Sequence, residues 1–456
     1  MKKFITTFSL LLLICHTTLW AQWQNIGSGI TNSPRDIFSI SAVSENVIWA
    51  VAIDPSSIIS YDFTKSIDGG ATWSAGLLPD TIGFYFPAAI PALDAQTAWA
   101  LMINLPNQDK IRIFKTTSGG SSWQEQLGEF NTPGYAFASL HFFNANEGIG
   151  FGSPGTSDPS IDSLRIYRTV DGGDNWTRIP AANLPTPLAN EGVWIYGDNH
   201  FASKGDTLWF GTRASRIFRT TDKGLTWQAF NTNISGNLDY PGLASVAFKN
   251  SLEGIVTTYL PSRAAATTDG GETWTEFFIP SIPHPADIQY IPGTEATYLV
   301  SEGWLTSGSI SQFGITYDDG GTWGTASFSP PIPVVKFISP TVGFAGGSVF
   351  TPDSGGIYKW TGDFTSSINT ITPTNFSVVV YPNPVDDKLM IQLPDEFSLQ
   401  SSIKLIILNV FGQTTKEISI NSKLTNIDLN NLPEGIYFYQ IRDMQNVLTT
   451  GKIIKR

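Results

Sequence analysis

Six times between residues 66 and 323 the chain repeats one eight-residue pattern: Ser or Thr first, Asp (once Ser) third, Gly fifth and Trp last. The first copy is Ser66-Ile67-Asp68-Gly69-Gly70-Ala71-Thr72-Trp73, and the second is Thr116-Thr117-Ser118-Gly119-Gly120-Ser121-Ser122-Trp123. The third runs from Thr169 to Trp176, the fourth from Thr220 to Trp227, the fifth from Thr267 to Trp274 and the sixth from Thr316 to Trp323. Successive Trp residues are separated by 50, 53, 51, 47 and 49 positions. A constant period of this length signals a repeat architecture, in which no unit can bury its apolar face alone and neighbours must stack. That excludes most folds before any other residue is considered.

The motif carries its own local physics. Asp or Ser at the third position can accept a backbone N–H two residues on and close a turn. Gly at the fifth position permits positive φ, which a tight hairpin needs. The opening Ser or Thr supplies a hydroxyl to the turn, and the Trp begins the next strand with a ring to bury between sheets. Strands of period two precede the turns, as in Ile111 to Lys115, Leu164 to Arg168 and Arg216 to Arg219. On this pattern Arg165, Arg168, Arg216 and Arg219 read as the solvated face of those strands. A second element recurs upstream of each turn: Val47 to Ala50, Ala98 to Ala100, Gly148 to Gly152, Leu208 to Gly211, Gly254 to Val256 and Thr297 to Val300. A seventh, Val342 to Gly346, follows the last motif. These read as second strands of successive units, so Trp49, Trp99 and Trp209 belong to the repeated core.

The pattern resembles the Asp-box, or bacterial neuraminidase repeat, found in sialidases, sortilin-like receptors, xyloglucanase-like glycosidases and photosystem II assembly factor-like propellers. The resemblance implies a β-propeller whose boxes join the third and fourth strands of each blade. It also gives a structural role to Asp68 and Trp73, Ser118 and Trp123, Asp171 and Trp176, Asp222 and Trp227, Asp269 and Trp274, and Asp318 and Trp323. Ser118 departs from the pattern and weakens one turn. The expected fold is all-β: a seven-bladed β-propeller over residues 22–363 followed by a small Ig-like β-sandwich. Six boxes leave the seventh unit incomplete after Gly356 to Trp360, while Gln22-Trp23-Gln24 looks like a box end. The N-terminal strand is therefore expected to supply the outer strand of the last blade and remove an exposed edge.

Both ends of the chain read as addresses. Lys2 and Lys3 precede an apolar stretch from Phe4 to Cys15, and Leu19-Trp20-Ala21 ends in a small residue, so residues 1–21 read as a secretory signal peptide. The stretch is short for roughly 30 Å of hydrocarbon. A lipoprotein reading of Leu12 to Cys15 would need a small residue where Ile14 stands. Cys15 is the only cysteine, so the mature chain has no disulfide and relies on packing. Hydrophobic residues make up 41% of the 456 positions and charged residues 14%, which argues against disorder. A net charge of −12 argues against nucleic acid as a partner.

Residues 364–375 read as a linker, and the remainder differs in kind: residues 373–456 carry 8 basic and 8 acidic residues. Strands are expected at Lys388 to Leu393, Ile403 to Val410, Gly435 to Ile441 and Lys452 to Ile454. Tyr381-Pro382-Asn383-Pro384, Leu389-Met390-Ile391, Asn409 to Gln413, Leu432 to Tyr437 and Gly451 to Arg456 resemble the C-terminal sorting domain of the type IX (Por) secretion system. Over residues 376–456 this implies a partner in the type IX secretion machinery, removal of the domain after translocation, and a secreted or outer-membrane surface-attached product.

No reaction centre emerges from the sequence. A sialidase needs three Arg on a carboxylate, a Tyr nucleophile paired with Glu, and an Asp acid. Its Arg-Ile-Pro motif would precede the first box, whereas Arg178-Ile179-Pro180 follows the third. A xyloglucanase-like hydrolase would need two facing carboxylates. His141, His200 and His284 are far apart in sequence, and neither a cofactor nor a metal is expected. Trp194, Trp304 and Tyr240 fall outside the repeated positions and are the candidate ligand-binding aromatics, and residues 153–163 read as a surface insertion. The expected function is a monomeric, exported propeller that binds a glycan or protein ligand, with a glycoside hydrolase as the alternative.

Overall fold

The computed structural model describes residues 22–365 and 378–456, apart from 32–34, 55–60, 80–84, 105–109, 127–135, 154–163, 189–190, 194–199, 235–241, 260–261, 280–281, 283, 303–310, 329–330, 349–354, 394–402, 410–413 and 443–446. The chain forms two compact units that divide between Thr365 and Ser366. Both are all-β; one 3-10 turn at Ala181–Asn183 is the exception among the described residues.

The first unit contains seven four-stranded antiparallel sheets. Six are contiguous in sequence. The first is Asp36–Ala42, Ile48–Ile53, Asp62–Ser66 and Ser74–Leu77, and the second is Tyr85–Ala89, Ala98–Asn104, Ile111–Thr116 and Gln124–Glu125. The third is Ala136–Phe142, Gly148–Ser153, Arg165–Thr169 and Thr177–Arg178, and the fourth is Phe201–Lys204, Thr207–Gly211, Arg216–Thr220 and Gln228–Asn231. The fifth is Ser245–Phe248, Gly254–Thr257, Arg263–Thr267 and Thr275–Phe278, and the sixth is Pro285–Tyr290, Tyr298–Glu302, Ser311–Thr316 and Gly324–Phe328.

The seventh sheet joins the two ends of the unit. Val334–Ser339, Val342–Gly347 and Gly356–Trp360 are completed by Trp23–Gly27, with Trp23 opposite Trp360 and Asn25 opposite Tyr358. The Asn25 side chain donates to the Gly355 carbonyl at 3.1 Å. Trp23 lies edge-on to Trp360 at 5.2 Å and to Phe337 at 5.7 Å. The closure expected from the sequence is present.

Each sheet shares a core with the next, and the last with the first. Trp49 and Phe63 of the first sheet pack with Met102 and Phe114 of the second, and Trp99 of the second with Phe142 and Tyr167 of the third. Phe151 meets Phe210, Trp209 meets Phe248, Ile255 meets Ile288, and Leu299 meets Phe337 around the circle. Ile37 and Ala50 of the first sheet then pack against Val334 and Phe344 of the seventh. The result is a closed ring, the arrangement of a β-propeller. Second strands are buried on both faces, because alternate residues serve alternate neighbours; Ile48–Ile53 is buried throughout. Trp49, Trp99 and Trp209 are fully buried, as their repeated positions predict.

The inner strands are stitched by short polar side chains. Ser39 accepts the Ile90 N–H of the next sheet at 3.2 Å, Ser245 accepts Ile288 N–H at 3.1 Å, and Asp287 accepts Val335 N–H at 3.0 Å. Ser39 and Asp287 each follow a β-bulge, which re-aims the side chain toward the neighbour.

The second unit is a sandwich of two antiparallel sheets. One contains Val379–Tyr381, Lys388–Gln392 and Leu424–Asp428; the other orders Thr414–Ile420, Ile403–Leu408, Gly435–Arg442 and Val447–Lys455. Leu389, Ile391, Leu405, Ile407, Ile441 and Ile453 form its core. The sequence pattern missed Val379–Tyr381, Thr414–Ile420 and Leu424–Asp428. Thr414–Ile420 is largely exposed and polar, so its alternation carries little contrast.

Candidate binding surfaces at the two ends of the ring

Strand direction gives the ring two unlike ends. The motif turns and the first-to-second strand turns emerge at one end. The second-to-third strand connections and the links between sheets emerge at the other.

At the motif end one geometry recurs. In the first copy the Gly70 N–H donates to Ser66 Oγ at 2.8 Å, Ser66 Oγ donates to Asp68 Oδ1 at 2.8 Å, and the Thr72 N–H donates to Asp68 Oδ1 at 2.8 Å. The third Asp therefore accepts from the residue four positions on, not two. Positive φ at both central positions (Gly69 71°, Gly70 91°) folds the seventh residue, rather than the fifth, over the carboxylate. The same bonds recur around Asp171, Asp222, Asp269 and Asp318. Ser118 replaces them with one Oγ that accepts Ser122 N–H at 3.0 Å. The fourth position tolerates Lys223 and Asp319 at positive φ, but the fifth is Gly in all six copies. The neighbouring sheet explains why: a Cβ at Gly70 would lie 2.2 Å from Ile26, and one at Gly120 2.6 Å from Phe63. The hydroxyl and amide of Thr72 hold the Asp68 carboxyl at about 2, and at Asp269 the Thr273 and Thr267 bonds outweigh burial to give about 2 as well.

The motif Trp residues pack back onto the preceding sheet. Trp123 sits 5.3 Å from Phe63 and Trp323 6.3 Å from Phe277, both on the preceding sheet, and Trp274 packs against the cluster that holds Trp209 of the preceding sheet while lying 6.1 Å from Phe248 of its own. A cation from the preceding sheet also grips five of the six turns. Lys359 reaches the Gly69 carbonyl at 3.2 Å, Lys65 reaches Gly119 at 2.8 Å, Arg168 reaches Lys223 at 3.1 Å and Arg219 reaches Gly270 at 3.1 Å. Where the turn presents Asp319, Lys249 instead binds its carboxylate at 2.8 Å. The expectation that Arg168 and Arg219 sit on a solvated face is thus corrected: both are mostly buried between sheets. Arg165 is buried as well.

The connection end is individual in every sheet. Arg35 bonds Asp62 at 2.7 Å and Asp54 at 3.1 Å. Glu191, with a fully buried side chain, accepts from Arg216 Nε at 2.9 Å, Thr212 Oγ1 at 2.8 Å and the Leu188 N–H at 2.9 Å. Glu302 faces His284 at 3.4 Å and accepts the Gln312 N–H at 3.1 Å. These pairs sit at the roots of the connections between sheets and strands. Of the four arginines read from the sequence as a solvated strand face, Arg168 and Arg219 bind turn carbonyls and Arg216 binds Glu191. Arg178 lies on the outer strand of the third sheet, opposite Tyr167.

Trp194, Trp304 and Tyr240 lie outside the described residues, as do residues 154–163 of the expected insertion. The three histidines are not brought together: His200 is buried with Nδ1 2.7 Å from the Ala244 carbonyl, His284 pairs with Glu302, and His141 lines the axis. No metal-binding cluster occurs among the described residues.

The axial channel holds a cavity of about 250 Å³ at the motif end, between the inner strands of the first, second, third, fourth and seventh sheets. Ser39, Ser41, Ser139, His141, Phe201 and Lys336 contribute to its wall. His141 keeps a little solvent through the opening, yet protein surrounds its ring, with Phe143 at 4.7 Å and Phe201 at 5.5 Å. Burial pushes its pKa down to about 4, so the imidazole is neutral at physiological pH. Of these residues the sequence singled out His141 alone. The others come from strands far apart in the chain, and only the ring register gathers them.

Comparison with known proteins bears on both units. Residues 379–456 match the family described as the secretion system C-terminal sorting domain. A solved structure of YCF48 bound to D1 peptide is similar at 17% identity and a TM-score of 0.51, over 75% of this chain and 98% of that one. YCF48 from Cyanidioschyzon merolae gives 15% identity and a TM-score of 0.51 over the same shares. An ancestral GH74 enzyme gives 12% identity and a TM-score of 0.46, over 95% of this chain and 63% of that one. The YCF48 likeness is one of fold. No curated protein sequence matches the chain. Among the described residues no helix is long and apolar enough to cross a membrane. A β-propeller that carries a secretion system sorting domain is a secreted protein destined for attachment at the cell surface.

Proposed function

We propose that the ring is a non-catalytic binding module, displayed as a monomer at the cell surface, whose connection end takes a glycan or protein ligand. Residues 1–21 act as a cleaved signal peptide, residues 22–363 form the Asp-box propeller, residues 364–375 are a linker, and residues 376–456 direct export through the type IX machinery. The carrying observation is the asymmetry of the ring. The longer connections leave from one end, and buried ion pairs such as Glu191–Arg216 fix their roots. A rigid base under variable connections is how folded scaffolds present binding residues. The peptide bound in one YCF48 structure is a precedent on this fold for a protein segment as ligand.

The test is a glycan and peptide array probed with the purified secreted chain, with release of sugar followed in parallel. Saturable capture without hydrolysis supports the reading. Turnover of a captured glycan would replace it with the hydrolase reading, and no capture of any class would remove it.

A further inference from the structure

Cleavage after Ala21, as proposed above, makes Gln22 the first residue of the mature chain, and the ring seam gives that residue a fixed place. The Gln22 carbonyl accepts the Thr361 N–H at 2.7 Å and the Thr361 hydroxyl at 3.0 Å, which carries the pairing of Trp23 with Trp360 one residue further, to the new end of the chain. Only that carbonyl is engaged. Neither the main-chain nitrogen of Gln22 nor its side-chain amide has a hydrogen-bond partner among the described residues. The side chain instead lies over the Gly362 backbone: a Cβ on Gly362 would stand 2.6 Å from Gln22 Oε1, 2.7 Å from its Cδ and 2.6 Å from Cζ2 of Trp360. Trp360 stacks on Phe364 at 4.7 Å, and its Nε1 is buried without an acceptor. The seam thus presents an unengaged main-chain nitrogen and an unengaged amide on one residue, beside an apolar stack with a spare donor.

We infer that Gln22 is a modification site, at which the freed α-amine closes on its own side-chain amide and caps the ring seam with a neutral lactam, a pyroglutamate. This rests on the signal-peptide reading, because the amine exists only after cleavage. The amine nitrogen bonds to Cδ, the bond from Cδ to Nε2 breaks, and Nε2 leaves as ammonia with the proton that the amine gives up. No oxidant, metal or second substrate is consumed. Two consequences follow at this place in the fold. An open α-amine is largely protonated at neutral pH and would set a charge against the Trp360–Phe364 stack, whereas the lactam removes it. Chain ends are also where proteolysis concentrates. The residue after Gln22 is Trp23, whose buried ring holds the seam against Phe337 and Trp360. An aminopeptidase that removed Gln22 and then Trp23 would open the circle, and the lactam denies it the free amine it must grip. With no cysteine after Cys15, the chain has no disulfide to hold the seam instead.

Tandem mass spectrometry of the N-terminal peptide of the secreted chain, isolated fresh from culture, tests this. A synthetic peptide that starts Gln-Trp-Gln-Asn is carried through the same handling and must stay open, so that any lactam found was formed before isolation. The expected peptide begins at Gln22, is lighter than the open form by one ammonia, and is blocked to Edman degradation. A free amine on Gln22 would overturn the inference and leave the signal-peptide reading standing. A terminus at any other residue would overturn both. The protective role is read separately with Gln22→Asn, which keeps an amide but cannot close the five-membered ring. A broad-specificity aminopeptidase should trim the folded variant through Trp23 and lower its melting temperature by many degrees, while the unaltered chain stays intact. Equal resistance of the two chains would overturn that role.

Discussion

The two ends of the ring are built from the same strands yet follow opposite rules. At the motif end the same residues make the same bonds: the third-position Asp accepts the seventh-position N–H at 2.8 Å in the first copy and 2.9 Å in the fourth. At the connection end Arg35 takes two aspartates, Glu191 takes an arginine and a threonine, and Glu302 takes a histidine. Repetition marks what the ring needs in order to stack; individuality marks what the ring is free to use. The motif end is nevertheless not featureless, because the axial cavity opens among its inner-strand residues.

The largest expected effect strikes both ends together. Deleting residues 22–29 removes the closing strand and Trp23, whose truncation alone costs about 3–5 kcal/mol. The melting temperature should fall by many degrees, and an unchanged melt would show that the circle is held shut by other means. Glu191→Ala comes next. It leaves Arg216 without its buried partner, at a cost of about 3–5 kcal/mol in chemical denaturation. A loss below about 1 kcal/mol would show that water replaces the carboxylate and that the root of this connection is soft.

Gly120→Ala and Gly224→Ala sharpen the claim of repetition. Each places a Cβ at positive φ against the preceding sheet, 2.6 Å from Phe63 and 2.8 Å from Ile149 respectively, and should cost about 1–3 kcal/mol. The two losses should agree within about 0.5 kcal/mol if the copies are equivalent, and a wide gap would break the comparison. The smallest effects are electrostatic. Asp68 and Asp269 have folded pKa values near 2, below the unfolded carboxylate value. Their contribution is complete above about pH 4 and is lost as pH falls toward 2. Asp68→Asn should flatten that part of the stability profile. Ser118→Asp should add a few tenths of a kcal/mol at neutral pH and none near pH 2.

Much of the ring was legible in the sequence because its information is local. Box spacing predicts the repeat, the strand before each box predicts its alternation, and the fragment at Gln22-Trp23-Gln24 predicts closure. Partners across sheets were not legible. A period of two tells which face a side chain takes, not which neighbour it meets, so Arg168 and Arg219 read as solvated although each, like Lys65 and Lys359, reaches a carbonyl of another sheet. A faint signal existed: all four stand directly before the residue that ends the third strand of their sheet, while Ile315, next to the sheet that lacks a box, is apolar. The axial cavity was less legible still, because Ser41, His141 and Lys336 come together only through the register of separate inner strands.

The closing strand also sets an order of events. Asn25 finds its bond to Gly355 only after 330 residues have followed it. During synthesis and export the earliest segment of the ring must wait for the latest. The six intervening sheets assemble meanwhile with one flank bare, and the surface around Ile37 and Ala50 stays adhesive until Val334 and Phe344 arrive. Such distant pairing is slow. In that interval a second chain emerging nearby could lend its own first strand, so exchange of Trp23–Gly27 between copies is the misassembly to which this topology is most exposed.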